Sequence, residues 1–341
     1  MNENAPVARA FAGGFNGWRR LALCLVALLV ATAASARSSY SSIVVFGDSL
    51  SDTGRLYHLT NGGFPPSIAY FEGRQSNGPV WVEYLAFRLG LEHRLRDYAV
   101  IGAMTAPTSA IPTGNVWSDT FGGLDGTSLS GQVAQYLAST GGKVDPDALY
   151  IVEGGANDLI GPLSMLLASP PSGQAEFMQD VQEIITPTVV NVATITGTLK
   201  ALGARHIAVV NVPDFGKAPR LVGYGPVASA VVSQVVDLLN QYVDGQLNLI
   251  DAAGGSQVLR IDAYGFIDGV VAAPDSFGFT DVQDAFMQLD LSTKTVTFAS
   301  PHRYLAWKYF FWDDLHPTTR GHEYFAEFAL ATVCPVEHCH R

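Results

Sequence analysis

The strongest constraint on the fold is an alternation between short runs of β-branched and aromatic residues and longer segments whose apolar residues recur every three or four positions. This alternation is typical of repeated strand, helix, strand units, which build a mostly parallel sheet covered by helices. We therefore predict an α/β fold with one five-stranded sheet. The predicted strands cover residues 42–47, 95–100, 148–155, 206–213 and 256–262.

The segments between and after these strands are predicted to be helices or loops. Helical spacing covers residues 79–90, 175–203, 226–254 and 321–333. The connections 103–126 and 274–301 are rich in Gly, Pro, Ser and Asp and are predicted to be loops. Ligands of open α/β sheets bind at the carboxyl ends of the strands, so these loops, together with Phe215 and Phe277, are candidates for the walls of a substrate site.

The first 36 residues differ from the rest of the chain. Arg19 and Arg20 precede an apolar run at 21–34, and Ala-Ser-Ala follows at 34–36. This pattern predicts a secretory signal peptide cleaved after Ala36, and thus a secreted or periplasmic protein. An uncleaved anchor is the alternative, although a membrane span needs about 20 apolar residues. No later run is comparable, so we predict no stable membrane span after cleavage and a single domain over 37–341.

The net charge of the chain is −11, which bears on its partners. Proteins that bind nucleic acids use clustered Lys and Arg to neutralise phosphates, and no such cluster is present. The sequence therefore excludes a nucleic-acid-binding function.

Two cysteines, Cys334 and Cys339, remain beyond the predicted signal peptide. In an oxidising compartment this spacing predicts a small-loop disulfide. His338 and His340 make a metal site the alternative, but no matching ligands occur elsewhere in the sequence. We predict neither a metal nor an organic cofactor.

The first candidate for chemistry is the sequence GDSLSDTG at 47–54, directly after the first predicted strand. It has two interpretations. One is a tight turn with a helix N-cap. The other is a turn that presents Ser49 as a nucleophile, which needs a histidine base, a carboxylate that orients the base, and donors for an oxyanion.

The sequence FWDDLHPTTRGH at 311–322 supplies the missing acid and base. Asp313 precedes His316 by three positions, so one turn can present both side chains on one side. Asp314 is the alternative acid. His322 is interpreted as a residue at the start of a helix. These residues favour the nucleophile interpretation of Ser49.

Two further strand ends offer hydrogen-bond donors. EGGANDL at 153–159 follows the third predicted strand, and Asn157 brings two amide N–H groups without charge. DYAVIGAMT at 97–105 follows the second strand, and Gly102 can expose a backbone N–H. Both sequences also have the residue types that are common in turns, so neither alone is specific evidence for an oxyanion hole.

Together, these four blocks resemble the GDSL family of SGNH hydrolases, over residues from 43 to about 333. The resemblance implies a flavodoxin-like three-layer α/β/α sandwich. It also implies a nucleophile at Ser49, a base at His316, its orienting acid at Asp313, and an oxyanion hole formed by the Ser49 N–H, Gly102 and Asn157. Relatives commonly have Asn where Asp97 stands and Gly where Ile101 stands, which alters the surroundings of Gly102.

The same resemblance implies a secreted serine esterase or lipase acting on acyl esters through an acyl-enzyme. The segments at 70–86, 211–219 and 311–322 are similar to a bacterial branch that contains lecithinase and haemolysin-type phospholipases, glycerophospholipid-cholesterol acyltransferases and choline-ester hydrolases. The expected partner is a small-molecule or lipid ester. The alternatives are a carbohydrate O-acetyl esterase that uses the same machinery and a non-catalytic binding module on the same scaffold.

Overall fold

A computed structural model describes residues 40–107, 126–293 and 295–334. The predicted signal peptide, most of the 103–126 loop and Cys339 lie outside the described residues. The elements are β1 (Ile43–Phe46), α1 (Arg55–Leu59), α2 (Trp81–Arg88), β2 (Leu95–Asp97), α3 (Leu129–Ser139), β3 (Leu149–Val152), α4 (Ala156–Ala168), α5 (Gln174–Ala201), β4 (His206–Val210), α6 (Pro219–Val222), α7 (Pro226–Ala252), β5 (Leu259–Ile261), α8 (Ala263–Ala272), β6 (Asp281–Ala285), β7 (Met287–Asp290), β8 (Thr295–Phe298), β9 (Tyr309–Phe311) and α9 (Thr319–Val333).

The central sheet has five strands in the order β2-β1-β3-β4-β5, and every neighbouring pair is parallel. The predicted α/β fold and five-stranded sheet are therefore confirmed, with each strand shorter than its apolar run. Strands β1 and β3 are buried along their whole length. Burial on both faces explains why they are continuous apolar runs rather than alternating ones.

Helices cover both faces of the sheet and make three layers. Val44 and Phe46 of β1 face one core, to which α3, α4, α5 and α7 contribute. Ile43 and Val45 face the other, which is formed with α2 and α9. Neighbouring residues point to opposite faces because the side-chain period of a strand is two. This architecture agrees with the predicted three-layer sandwich.

The prediction of a loop at 274–301 is wrong in part. This segment contains β6, β7 and β8; β6 pairs with β9 and β7 pairs with β8, giving two small two-stranded sheets. They pack in a separate small core that includes Phe286, Met287 and Trp312. Half of the residues in these strands are exposed, so the many polar side chains hid the strand signal. Helices α3, α4, α6 and α8 were also not predicted.

The strand order places a crevice between the carboxyl ends of β1 and β3. The connections from these neighbouring strands lead to opposite sides of the sheet, and such switch points are where open α/β folds bind ligands. The segment after β1 contains Ser49, and α4, directly after β3, contains Asn157.

Two findings concern the membrane and disulfide predictions. Of the helices in residues 40–107, 126–293 and 295–334, none is long and apolar enough to cross a membrane. Cys334, at the end of α9, is disulfide-bonded. Its predicted pairing with Cys339 stays a prediction.

Candidate active site

Ser49 lies on a tight turn at the carboxyl end of β1. The N–H groups of Ser51 and Asp52 donate to the Asp48 carbonyl at 3.2 and 3.0 Å and close the turn. Gly47 is required here, because a Cβ on it would lie 2.8 Å from Glu153 Oε2. The turn leaves Ser49 only 8% exposed.

Helix α1 begins directly after this turn, but its N-cap is Gly54 rather than the predicted Ser or Asp. The Asp52 carboxylate accepts from the N–H groups of Gly54 and Leu56 at 2.8 and 3.2 Å. It also accepts from Ile101 N–H at 2.9 Å, which ties the turn after β1 to the turn after β2. Asp52 thus pairs N–H groups at the start of α1 and holds the Ser49 turn in place.

His316 and Asp313 lie on a second turn, between β9 and α9. The turn is closed by a 2.7 Å hydrogen bond from Trp312 N–H to the His316 carbonyl. The Asp313 carboxylate contacts His316 Nδ1 at 2.8 and 2.9 Å and accepts from the backbone N–H of His316 at 2.7 Å. Asp314, the alternative acid, forms a bidentate ion pair with Arg220 instead.

The two turns meet at Ser49. His316 Nε2 lies 2.9 Å from Ser49 Oγ, although the residues are 267 positions apart. A continuous hydrogen-bonded chain therefore runs from Ser49 through His316 to Asp313. Its geometry is that required of a serine nucleophile, a histidine base and an orienting carboxylate.

The electrostatics keep Asp313 ionised. Burial raises its pKa, but His316 and the surrounding hydrogen bonds outweigh burial and lower the pKa to about 2. Tyr70 O–H donates to the second carboxylate oxygen at 2.7 Å. Sequence reasoning missed Tyr70, because a tyrosine 243 positions away carries no signal for this contact.

Asn157 and Gly102 adjoin the same turn. Asn157 Nδ2 donates to Asp48 Oδ2 at 3.2 Å and to the Ala103 carbonyl at 3.0 Å. Gly102 lies beside Ala103 with φ of +79°, a conformation that favours glycine. The structure thus brings the Gly102 turn against Asn157, while the role of Gly102 as a donor stays a prediction.

Glu153 is a second residue that sequence reasoning missed. Its carboxyl oxygen Oε2 accepts from Asp48 N–H at 3.1 Å and from Ser51 Oγ at 2.9 Å. Burial, and then the neighbouring Asp48, raise the pKa of Glu153 well above its usual range. A buried acid directly after β3 was the available signal.

Two cavities meet at His316. One, of about 70 Å³, also adjoins Ser49 and is walled mainly by apolar side chains, including Phe215, Phe266 and Phe325. The other is an open cleft of about 950 Å³ with many polar side chains. Phe215 therefore lies at a cavity wall as predicted, whereas Phe277 packs edge-to-face on Phe266 with ring centres 6.1 Å apart. Among the described residues, no group of three or more His, Cys, Asp or Glu is arranged to hold a metal.

The five-stranded parallel sheet, the layers of helices and the serine turn after β1 define an ester hydrolase of the SGNH fold class. Comparison with known proteins gives the family. Residues 43–329 match the GDSL-like lipase/acylhydrolase family, and the chain belongs to it. It is thus a hydrolase that acts on ester bonds.

Three individual relatives are each between 25% and 29% identical to this chain. A phosphatidylcholine-sterol acyltransferase of Aeromonas hydrophila is 29% identical over 77% of this chain and 71% of its own length. A thermolabile hemolysin of Vibrio parahaemolyticus is 27% identical over 85% of this chain and 63% of its own, so the chain spans less than two thirds of that relative. A GDSL esterase/lipase of Arabidopsis thaliana is 25% identical over 87% of this chain and 90% of its own.

Proposed function

We propose that this chain is a serine esterase in which Ser49 attacks the ester carbonyl, His316 takes the Ser49 proton, and Asp313 orients His316. The observation that carries this proposal is the unbroken chain of contacts, 2.9 Å from Ser49 Oγ to His316 Nε2 and 2.8 Å from His316 Nδ1 to Asp313. The Ser49 end of this series of contacts borders a cavity that ester groups can enter.

The reaction proceeds in two steps. Ser49 Oγ bonds to the carbonyl carbon while its proton moves to His316 Nε2, which then protonates the departing alcohol. Water attacks the resulting acyl-enzyme with His316 again as base, and an alcohol in its place gives acyl transfer. Asp313, ionised because its pKa is about 2, stabilises the imidazolium formed in each step.

The oxyanion of each tetrahedral intermediate is bound by the N–H groups of Ser49 and Gly102 and by the Asn157 amide. Asn157 Nδ2 already lies beside the Ser49 turn, where its contact to Asp48 at 3.2 Å is longer than that to Ala103 at 3.0 Å. As negative charge develops on the carbonyl oxygen of the substrate, this oxygen replaces Asp48 as the acceptor of the longer hydrogen bond. Loss of one such donor lowers turnover by about 10² to 10³.

The two cavities separate the two halves of the ester. The smaller, apolar cavity of about 70 Å³ receives the acyl group. The open cleft of about 950 Å³, which contains Gln75, Asp284 and Gln288, receives the alcohol. The substrates are therefore short-chain acyl esters of polar alcohols, and the name of the acyltransferase relative favours short-chain phosphatidylcholines or choline esters among them.

A carbohydrate O-acetyl esterase is the second candidate. The small volume of the acyl cavity favours it, because about 70 Å³ is under half of the roughly 150 Å³ that holds benzene in an engineered cavity. An acetyl group fits this space, and the open polar cleft suits a sugar.

We further propose that residues 1–36 are a signal peptide and that residues 37–341 form one secreted or periplasmic domain. Arg19 and Arg20, the apolar run at 21–34 and Ala-Ser-Ala at 34–36 support the signal peptide. Mass spectrometry of the exported protein tests it, since the mature chain should begin at Arg37.

A substrate panel tests the activity. Wild type and Ser49→Ala are assayed on p-nitrophenyl esters of graded chain length, phosphatidylcholine, a choline ester and acetylated xylan. We expect Ser49-dependent hydrolysis of the acyl esters. Activity restricted to acetylated xylan selects the second candidate, and full activity of Ser49→Ala contradicts the mechanism. A folded protein that hydrolyses none of these substrates is the outcome expected of a binding module.

A further inference from the structure

Tyr70 brings a distant segment of the chain against the turn that contains Asp313 and His316. It is only 6% exposed, and its O–H donates to Asp313 Oδ2 at 2.7 Å. The same oxygen lies 2.8 Å from His316 Nδ1. Tyr70 and the His316 ring therefore share one oxygen of the carboxylate.

The other donors to this carboxylate come from its own turn. The backbone N–H groups of Leu315 and His316 donate to Asp313 Oδ1 at 2.9 and 2.7 Å. Among the described residues, Tyr70 is thus the one donor from outside residues 313–316. Apart from the His316 ring, it is also the one group that bonds to Oδ2, so its removal would leave that oxygen to His316 alone.

The segment 66–76, which contains Tyr70, contacts the same turn at two further points. Trp312 Nε1–H donates to the carbonyl of the residue before Tyr70 at 3.0 Å. Ser76 Oγ donates to the Pro317 carbonyl at 2.9 Å. Tyr70 and Trp312 also belong to the same small core. The phenol is therefore held toward the carboxylate by the structure on both sides of it.

The phenol keeps its proton wherever Asp313 is ionised and the enzyme is assayed. Burial, and then Asp313, raise the pKa of Tyr70 well above its ordinary value of 10, whereas Asp313 has a pKa of about 2. A donor to the charged form of a carboxylate stabilises its charge. Because the positive end of the O–H bond points at Oδ2, the carboxylate attracts a protonated His316 ring less strongly than it would alone.

We propose that Tyr70 is a positioning residue that lowers the basicity of His316 by donating to Asp313. This inference rests on the roles of Ser49, His316 and Asp313 proposed above. The O–H opposes a positive charge on the ring, so the ring is free of its proton, and can act as base for Ser49, at a lower pH than with Asp313 alone. Tyr70 thereby sets the lower end of the pH range of activity.

Other charged and titratable groups surround His316. The acids, the arginine and the histidine that line its two cavities, besides Asp313, are Asp48, Glu153, Asp214, Arg220, Asp284, Asp314 and His322. Each of them is present in wild type and in the variants below. A difference in pH dependence between these proteins therefore reports the substituted hydroxyl.

The pH dependence of kcat/KM for p-nitrophenyl acetate tests the proposal, because its acidic limb reports the protonation of the essential base in the free enzyme. We expect the midpoint of this limb in Tyr70→Phe to lie about 0.4 to 1 pH unit above that of wild type, the effect of one hydrogen bond. An unchanged or lowered midpoint overturns the proposal.

Two control variants each remove one hydroxyl hydrogen bond from the same region. Ser76→Ala breaks the contact of the 66–76 segment to the Pro317 carbonyl. Tyr84→Phe breaks a 2.7 Å contact with the Thr319 hydroxyl. Neither touches the carboxylate, so both should keep the wild-type midpoint. A midpoint that rises in Ser76→Ala as much as in the Tyr70 variant assigns the effect to packing and overturns the proposal.

A fluorinated tyrosine tests the same claim in the opposite direction. Incorporation of 3-fluorotyrosine at position 70 nearly preserves the shape of the side chain and makes the phenol a stronger donor, so the midpoint should lie below that of wild type. An unchanged or raised midpoint overturns the proposal even if Tyr70→Phe does not fold. Failure of the proposed function is a separate result, in which Ser49→Ala still hydrolyses the ester.

Discussion

At the scale of single residues, two adjacent acids with the same side chain have different surroundings. Asp313 is buried against His316 and accepts from Tyr70, whereas the Asp314 side chain is 53% exposed and paired with Arg220. The difference arises from the turn, which directs one carboxylate inward and the next outward. A salt bridge at the surface contributes little, so only Asp313 should matter for turnover.

Amide substitutions of these two acids form the first prediction. We expect Asp313→Asn to lower kcat by about 10⁴, because the amide cannot stabilise the imidazolium and favours the wrong tautomer of His316. Asp314→Asn, the matched control, should lower kcat less than about threefold. Steady-state kinetics on one p-nitrophenyl ester measure both, and equal losses contradict the assignment of Asp313.

The second prediction concerns the pH dependence of stability. Burial, and then Asp52, raise the pKa of Asp97 to about 7, against about 3.9 in an unfolded chain. The folded state therefore keeps this proton up to about pH 7, while the unfolded state loses it near pH 4. The contribution of Asp97 to stability is full below pH 4 and is lost as the pH rises through 7.

Between pH 5 and pH 8 we expect the wild-type free energy of unfolding to fall by about 2 kcal/mol more than that of Asp97→Asn. Urea unfolding at the two pH values measures this difference. The exposed Asp237→Asn serves as control and should follow wild type. A parallel fall in Asp97→Asn shows that the proton is not held at this position.

The sequence indicated the proposed reacting residues around Ser49 but not the residues that hold them in place. Ser49, Asn157, Asp313 and His316 stand next to strand ends, and residue type together with position gave each a role that can be tested. Tyr70 and Glu153 support these residues through contacts that cross 243 and 102 positions, and no local pattern encodes such contacts. Only packing brings them together.

At the scale of elements, β1, β3 and β4 were found because burial leaves each a nearly continuous apolar run, whereas the edge strands β2 and β5 are only partly buried and are shorter than predicted. The strands β6, β7 and β8 lie at the surface, where every second side chain contacts solvent and the apolar signal halves. Helices α4 and α8 follow strands so closely that their first residues were assigned to turns. Whether an element was predicted therefore depended on how deeply it is buried in the fold, rather than on the strand or helix propensity of its residues.

A comparison of two side chains that accept from the N–H groups at a helix start forms the third prediction. Asp52→Ala leaves several buried N–H groups around α1 without an acceptor, including those of Leu56 and Ile101, and should lower the free energy of unfolding by about 3 kcal/mol. Ser128→Ala removes the cap of α3, which accepts from the backbone N–H of Gly131, and should cost about 1 kcal/mol. Urea unfolding compares them. Equal losses show that Asp52 does not join the two turns.

At the scale of the whole molecule, the sheet topology determines the layout of the site. The switch point between β1 and β3 brings the Ser49 turn beside Asn157, and β9 and α9 carry His316 onto that point. The small apolar cavity and the larger polar cleft then both border His316. The arrangement gives the acyl group and the alcohol different surroundings.

The fourth prediction follows from the size of the small apolar cavity beside Ser49. The kcat/KM for p-nitrophenyl esters of two to twelve carbons should be highest at about four carbons or fewer, because about 70 Å³ holds no longer chain. Phe325→Ala enlarges this cavity and should move the maximum to longer chains. Ser164→Ala changes the open cleft instead and should leave the maximum in place. A maximum at long chains in wild type contradicts the assignment of the acyl side.

The most direct test of the central claim is the identification of the residue that a fluorophosphonate labels. The reagent phosphorylates an activated serine, and mass spectrometry of the digested protein locates the adduct. We predict one adduct per chain on Ser49 in the folded protein, its loss in His316→Ala, and no labelling of Ser49→Ala. An adduct on another residue, or full esterase activity in protein without an adduct after exposure to the reagent, would contradict the claim that Ser49 is the nucleophile.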